Sequence, residues 1–169
     1  MSMTKTYSYS KASLDKFEGV HPDLVKVFKR AIEITSQDFK IDCGVRTLAK
    51  QQEHFGKGRT VAQCIKGDSA GRGMSAERAA QVSKPKEGIV TRTLNSNHFV
   101  KTKTGFGHAI DVATYPVDWN QKTCPPKFRA ISVAVKQAAK ELGIRIEWGG
   151  DWTSLVDMPH FQLDRSTYG

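Results

Sequence analysis

Apolar positions along the chain change period from helical to alternating, with the helical stretches first and most of the short alternating ones late. Leu24, Phe28, Ala31, Ile32 and Thr35 fall at helical spacing and predict a helix over 22–35 with one buried face. Pro22 at its first position and Asp23 in its first turn are start signals. Residues 39–43 alternate as a strand that ends at Gly44, and Cys43 at its close is expected to be a small core residue. Thr47 can cap a second helix carrying Leu48, Gln51, Gln52 and Phe55, which stops near Gly56-Lys57-Gly58. A third helix is predicted over 126–142, opened by Pro125-Pro126 and closed by Gly143. Phe128, Ile131, Val135, Ala138 or Ala139, and Leu142 form its stripe. Residues 144–148 and 160–163 alternate as strands. This order of elements predicts an α+β fold.

Between these elements, residues 66–88 are polar and rich in Gly, Ser, Lys and Arg, and they read as a mobile loop with a short helix around 76–82. Neither flank would make a sound domain alone, so 1–169 is expected to be a single domain. A chain of 169 residues is long enough to bury a real core. No internal repeat is visible.

Composition narrows the partners. Lys plus Arg is 26 against 17 Asp plus Glu, a formal charge of +9, which attracts polyanions such as nucleic acid, anionic lipid or cell wall. The charge is spread and contains no basic run or reading motif, so specific nucleic-acid binding is not expected. No stretch approaches the ~20 apolar residues that span a bilayer, and residues 1–10 lack the apolar segment of a signal peptide. Cys43, Cys64 and Cys124 are far apart without a C-x-x-C pair and read as reduced thiols.

The candidate chemistry lies in a few histidines and acids. Ser96-x-His98 precedes a Gly-rich stretch ending in Gly107-His108-Ala109-Ile110-Asp111, and Asp157-x-x-His160 follows Glu147-Trp148-Gly149-Gly150-Asp151-Trp152. Two imidazoles and one carboxylate suit catalytic zinc, because three protein ligands leave a fourth position for water. His98, Asp111 and His160 make that set, and Asp157 is then the non-ligating acid/base. His108 is the reserve for His98, and Glu147 is a rival base on chemistry alone. Asp111 taken alone could equally be a buried acid paired with a Lys or Arg. Trp148 and Trp152 either line a groove or pack in the core.

Together, Ser96-x-His98, Gly107-x-Ala109-x-Asp111 and Asp157-x-x-His160 resemble the S-x-H…G-x-A-x-D…(E/D)-x-x-H signature of the LAS group of zinc peptidases, which cut bacterial peptidoglycan. Gly44-Val45-Arg46-Thr47, Gln51-Gln52 and Gly58-Arg59-Thr60 are similar to the G-x-R-T…Q-Q…G-R-T stretch of the phage endolysins in that group, the L-alanyl-D-glutamate endopeptidases. One departure stands out: the usual H-x-x-G spacing is lengthened by six residues between His98 and Gly107.

The resemblance implies the Hedgehog/DD-peptidase fold, a small antiparallel sheet packed with helices. It implies Zn2+ on His98, Asp111 and His160, Asp157 as catalytic acid/base, and Arg46 facing the scissile carbonyl; a structural ion pair is the plainer role for Arg46. The implied activity is hydrolysis of the L-Ala–D-Glu bond in the peptidoglycan stem peptide, causing host lysis. The implied protein is a monomeric catalytic domain without a separate wall-binding domain, held in the host cytoplasm until lysis and then acting on the periplasmic wall. A D-Ala-D-Ala carboxypeptidase or dipeptidase of the same group is the alternative within the class. A non-catalytic basic module with a structural zinc is the alternative outside it, though a structural zinc would need neither Asp157 nor Arg46.

Overall fold

The computed structural model describes residues 5–169. In chain order the elements are α1 (Lys11–Asp15), α2 (Pro22–Ile34), β1 (Phe39–Cys43), α3 (Leu48–Gly56), α4 (Val61–Lys66), α5 (Ala76–Val82), β2 (Ala109–Thr114), α6 (Cys124–Leu142), β3 (Ile146–Trp148), a single 3-10 turn (Gly149–Asp151), β4 (His160–Leu163) and α7 (Arg165–Tyr168). The fold is α+β, as expected. The chain forms two compact units, one holding the residues up to Val45 together with Val100–Gly169, the other Arg46–Phe99.

The first unit contains the sheet, in the order β1-β2-β4-β3 with every pair antiparallel. Leu24, Val27, Phe28, Ala31 and Ile32 of α2 and Phe128, Ile131, Val135 and Ala138 of α6 pack with Phe39, Ile41, Ile110, Val112, Phe161 and Leu163 of the sheet in one apolar core. Phe161 is fully buried, edge-on to Phe28 at 5.6 Å and stacked on Trp148 at 6.2 Å between ring centroids. The predicted α6 stripe holds except at its end. Leu142 is 44% exposed, because the helix stops there and Gly143 turns left-handed at φ +68. The helix also starts two residues earlier than predicted, at Cys124.

Besides the 3-10 turn, three elements of this unit, α1, β2 and α7, have no counterpart in the sequence reading. Strand β2 is buried at five of its six positions and so lacks the alternation that marks a half-exposed strand. Helix α1 has only five residues, too few to show a period, although Ser10 caps it by accepting from the Ser13 N–H.

The second unit is helical. Phe55, Cys64, Met74, Ala79, Val82 and Leu94 form its own apolar cluster. Helix α4, unpredicted, begins with a capping box in which Thr60 and Gln63 each satisfy the other's backbone N–H. Helix α5 lies where the short helix was expected within 66–88. The rest of that segment is organised by Asp68, whose carboxylate accepts from the N–H groups of Ala70, Arg72 and Leu94 and from Arg72 Nε. Burial opposes its charge, but these donors outweigh burial and hold its pKa below the ordinary value.

Replacing Phe161 with Ala should destabilise the first unit by about 3–5 kcal/mol, read as a lower urea midpoint. A second expectation concerns His108, whose ring is buried beside His21 and Lys101. Burial first, then those two groups, lower its pKa from 6.5. The unfolded chain therefore takes up this proton more readily than the folded one. The neutral ring's contribution is complete above the unfolded value and is lost as pH falls below it. Thermal melts between roughly pH 8 and 5 should show a shallower acid slope for His108→Gln than for the parent.

Candidate functional site

Strand periodicity sorts the sheet into two faces. Ile110, Val112, Phe161 and Leu163 point into the core, so Asp111, His160 and Gln162 project from the opposite face. Asp111 is paired in register with His160 on β4 and with Cys43 on β1, which makes a row of three across three strands. His160 Nδ1 lies 3.0 Å from Asp111 Oδ1, and Cys43 Sγ lies within 4.8 Å of an Asp111 carboxylate oxygen. The expectation that Cys43 is a core residue is corrected: it is half-buried and stands on the polar face. The cause is a β-bulge. Ile41 pairs with Val112, but Cys43 pairs with Asp111, so Asp42 is an extra residue that turns the thiol away from the core.

The other nitrogen of His160 has a defined partner. His160 Nε2 lies 2.9 Å from Gln162 Oε1, and Gln162 Nε2 donates to Glu147 Oε2 at 2.8 Å. A carboxylate only accepts, so Glu147 fixes which end of the Gln162 amide faces His160. That end is an oxygen, so Nε2 carries a proton, and Nδ1 is the nitrogen that faces the Asp111 carboxylate. Glu147, the rival base, is thus engaged in orienting the imidazole. Gln162 and Cys43 were missed from the sequence. For Gln162 the signal was present, two residues after His160 on the same strand face.

Asp157 is half-buried and sits in the turn that leads into β4. Its carbonyl accepts from the His160 N–H at 3.1 Å, which makes the D-x-x-H spacing a turn, and its N–H donates to Gly149 O at 2.9 Å. Gly149 is required there, because a Cβ would lie 2.2 Å from the Asp157 carbonyl oxygen. Trp148 is a core residue whose Nε1 donates to Met158 O, whereas Trp152 is half-buried against the His160 ring at 5.1 Å.

The lengthened interval before Gly107 closes on itself. Val100 bridges Gly107, the Lys101 N–H donates to Phe106 O at 2.9 Å, and the Gly105 N–H donates to Lys101 O at 2.7 Å. The extra residues are therefore the tip of a hairpin-like turn. His108, the reserve ligand, is directed elsewhere: its Nε2 is 2.7 Å from Thr104 Oγ1 and its ring lies edge-on to His21 and Tyr168.

Arg46 and His98 belong to the second unit and stand at its two ends. The Arg46 N–H donates to His98 O at 3.0 Å, which ties those ends together, and Ser96 Oγ accepts from the His98 N–H at 3.2 Å. The serine of the S-x-H motif is thus a local backbone clamp on a histidine that is 1% exposed. Arg46 Nη1 donates to Gln51 Oε1 at 2.9 Å, and the buried Gln51 donates onward to Thr93 O at 2.8 Å. The same unit carries a cavity of about 320 Å³ lined mainly by Lys50, His54, Lys57, Arg78 and Lys84.

The structure thus brings Asp111 and His160 together in one unit, with Asp157 in the adjoining turn, and Arg46 and His98 together in the other. A carboxylate, an oriented imidazole and a thiol side by side suit a borderline-soft divalent cation such as zinc.

Comparison with known proteins agrees with this chemistry. Residues 5–70 match the family model described as phage L-alanyl-D-glutamate peptidase, and residues 90–163 match the one described as D-alanyl-D-alanine carboxypeptidase. The L-alanyl-D-glutamate peptidase of Escherichia phage T5 is 30% identical over 96% of this chain and 93% of that protein. A Listeria phage L-alanyl-D-glutamate peptidase is 30% identical over 47% of this chain and 25% of its own. The crystal structure of Serratia marcescens L-Ala D-Glu endopeptidase ChiX superposes with a TM-score of 0.64 at 32% identity, over 95% of this chain and 93% of that one.

Gln162→Leu removes the acceptor that holds the His160 proton on Nε2. Zinc affinity, measured by competition with a chromogenic chelator, should fall about 10- to 100-fold while the circular dichroism spectrum is kept.

Proposed function

The chain belongs to the phage L-alanyl-D-glutamate peptidase family, and from that premise we propose that it is a zinc-dependent endolysin cleaving the L-Ala–D-Glu bond of the peptidoglycan stem peptide. One observation carries the reading for this chain: Asp111 Oδ1 and His160 Nδ1 face each other at 3.0 Å, with the imidazole oriented through Gln162 and Glu147. The motif spacing adds His98 as the third ligand, Asp157 as acid/base and Arg46 as the cation for the reacting carbonyl.

When bound, zinc polarises an amide carbonyl and lowers the pKa of water toward ~7. The protein's own groups do the rest. Asp157 takes the proton of the attacking water and delivers it to the amine leaving from D-Glu. Arg46, its guanidinium steadied by Gln51, donates hydrogen bonds to the carbonyl oxygen as negative charge builds there. The turn closed by His160 N–H to Asp157 O keeps the base beside a ligand without making it one.

The +9 charge and the basic cavity over Lys57, Arg78 and Lys84 support attraction to a carboxylate-rich wall. Among the described residues no helix is long and apolar enough to cross a membrane. The protein acts as a monomer that stays in the host cytoplasm until the inner membrane opens and then reaches the wall.

Digestion of purified muropeptides should free a new D-Glu amino terminus, identified by end-labelling and mass spectrometry, and a chelator should abolish it. Release of D-Ala instead would make the protein a D,D-peptidase. Asp157→Asn should lower kcat by about a hundred- to ten-thousand-fold with zinc content unchanged. Undiminished cleavage by that variant would remove Asp157 from the mechanism.

A further inference from the structure

We propose that the Cys43 thiol is a displaceable ligand of the same metal, closing the site at rest; this rests on the zinc reading above. Three observations lead to it. Cys43, Asp111 and His160 occupy one cross-strand row, in register on three neighbouring strands. Asp111 is the cross-strand partner of each of the other two, and such partners have Cβ atoms about 4.5–5.5 Å apart, near enough for an ion on Asp111 to be reached from either side. The thiol sulfur is within 4.8 Å of an Asp111 carboxylate oxygen, and that carboxylate is 3.0 Å from His160 Nδ1. Finally, the thiol is on this face only because of the bulge at Asp42. Regular pairing would set Cys43 against Ile110 and bury it in the core.

The chemistry favours coordination over a packing role. Thiolate is a stronger zinc donor than carboxylate, and Cys43 lies outside the apolar core. Cys64 and Cys124, by contrast, are buried in apolar clusters. On metal binding the thiol proton passes to solvent and the sulfur takes the position that water needs in catalysis. Substrate binding must then displace sulfur, which returns to the thiol by taking a proton from solvent. Cys43 is thus a ligand of the resting protein, not a catalytic residue.

Cobalt(II) replaces zinc in such sites and reports its donors. The full-length protein loaded with cobalt should show visible ligand-field bands together with a near-ultraviolet thiolate-to-cobalt charge-transfer band. Cys43→Ser should lose the charge-transfer band and keep the visible ones. Visible bands without charge transfer in the parent protein overturn this inference and leave the zinc peptidase reading intact. Persistence of the charge-transfer band in Cys43→Ser overturns it as well, since another thiol is then the donor. Absence of all bands overturns both readings. A second measurement needs no variant: a thiol reagent under native conditions should modify Cys43, located by peptide mapping, in the metal-free protein and not in the zinc-loaded one. Equal modification in both defeats the proposal.

Discussion

Burial of one face of the β1-β2-β4-β3 sheet is the constraint on which the site depends. Ile110 and Val112 on β2 and Phe161 and Leu163 on β4 are sealed against α2 and α6, and a slip of one residue would turn all of them to the opposite, polar face. That penalty fixes the register, and the register in turn fixes Asp111 opposite His160. Two side chains 49 positions apart are therefore held at 3.0 Å by apolar contacts on the far side of the sheet. Positioning of the polar pair thus follows from the register that hydrophobic burial sets.

The same constraint explains how a long insertion is tolerated. The interval from His98 to Gly107 is longer than the motif requires, yet Gly107 is tied to Gly19 and His21 by backbone hydrogen bonds and to Val100 by a bridge. The start of β2 is thus anchored independently of the preceding loop. Loop closure grows only slowly more costly with length, so six residues at the tip of a closed turn leave Asp111 where the sheet requires it.

Much of this was legible in the sequence, and the exceptions have definite causes. The α2 and α6 stripes, the Thr47 cap, the Gly143 stop and strands β1, β3 and β4 follow from period and capping signals. The motif spacing pointed to Asp111, His160 and Asp157, and the sheet and its adjoining turn bring those three into one neighbourhood. Strand β2 was missed because burial on both faces removes alternation, leaving Ala-Ile-Asp-Val-Ala-Thr without a period. Cys43 was misplaced because alternation through Phe39 and Ile41 assigns it to the core, and a bulge at Asp42 reverses its side with no glycine at the bulged position itself. Leu142 kept the helical period but fell in the last turn, beyond the reach of the core.

Two glutamines show what pattern reading alone undervalues. Gln51 and Gln162 are almost fully buried, at 1% and 2% exposure, and each joins a candidate site residue to a fixed acceptor. Gln51 accepts from Arg46 and donates to Thr93 O; Gln162 accepts from His160 and donates to Glu147. An amide suits this position because it offers a donor and an acceptor at opposite corners of one rigid plane. Anchoring the donor end determines what the acceptor end presents. A carboxylate in either place would also accept, but it would add charge beside groups whose own charge matters and would lose the donor that sets its orientation. Placed five residues after Arg46 and two after His160, each glutamine lies on the element that carries or follows its charge. The geometry of the candidate site thus depends on neutral residues that no charge-based search of the sequence would select.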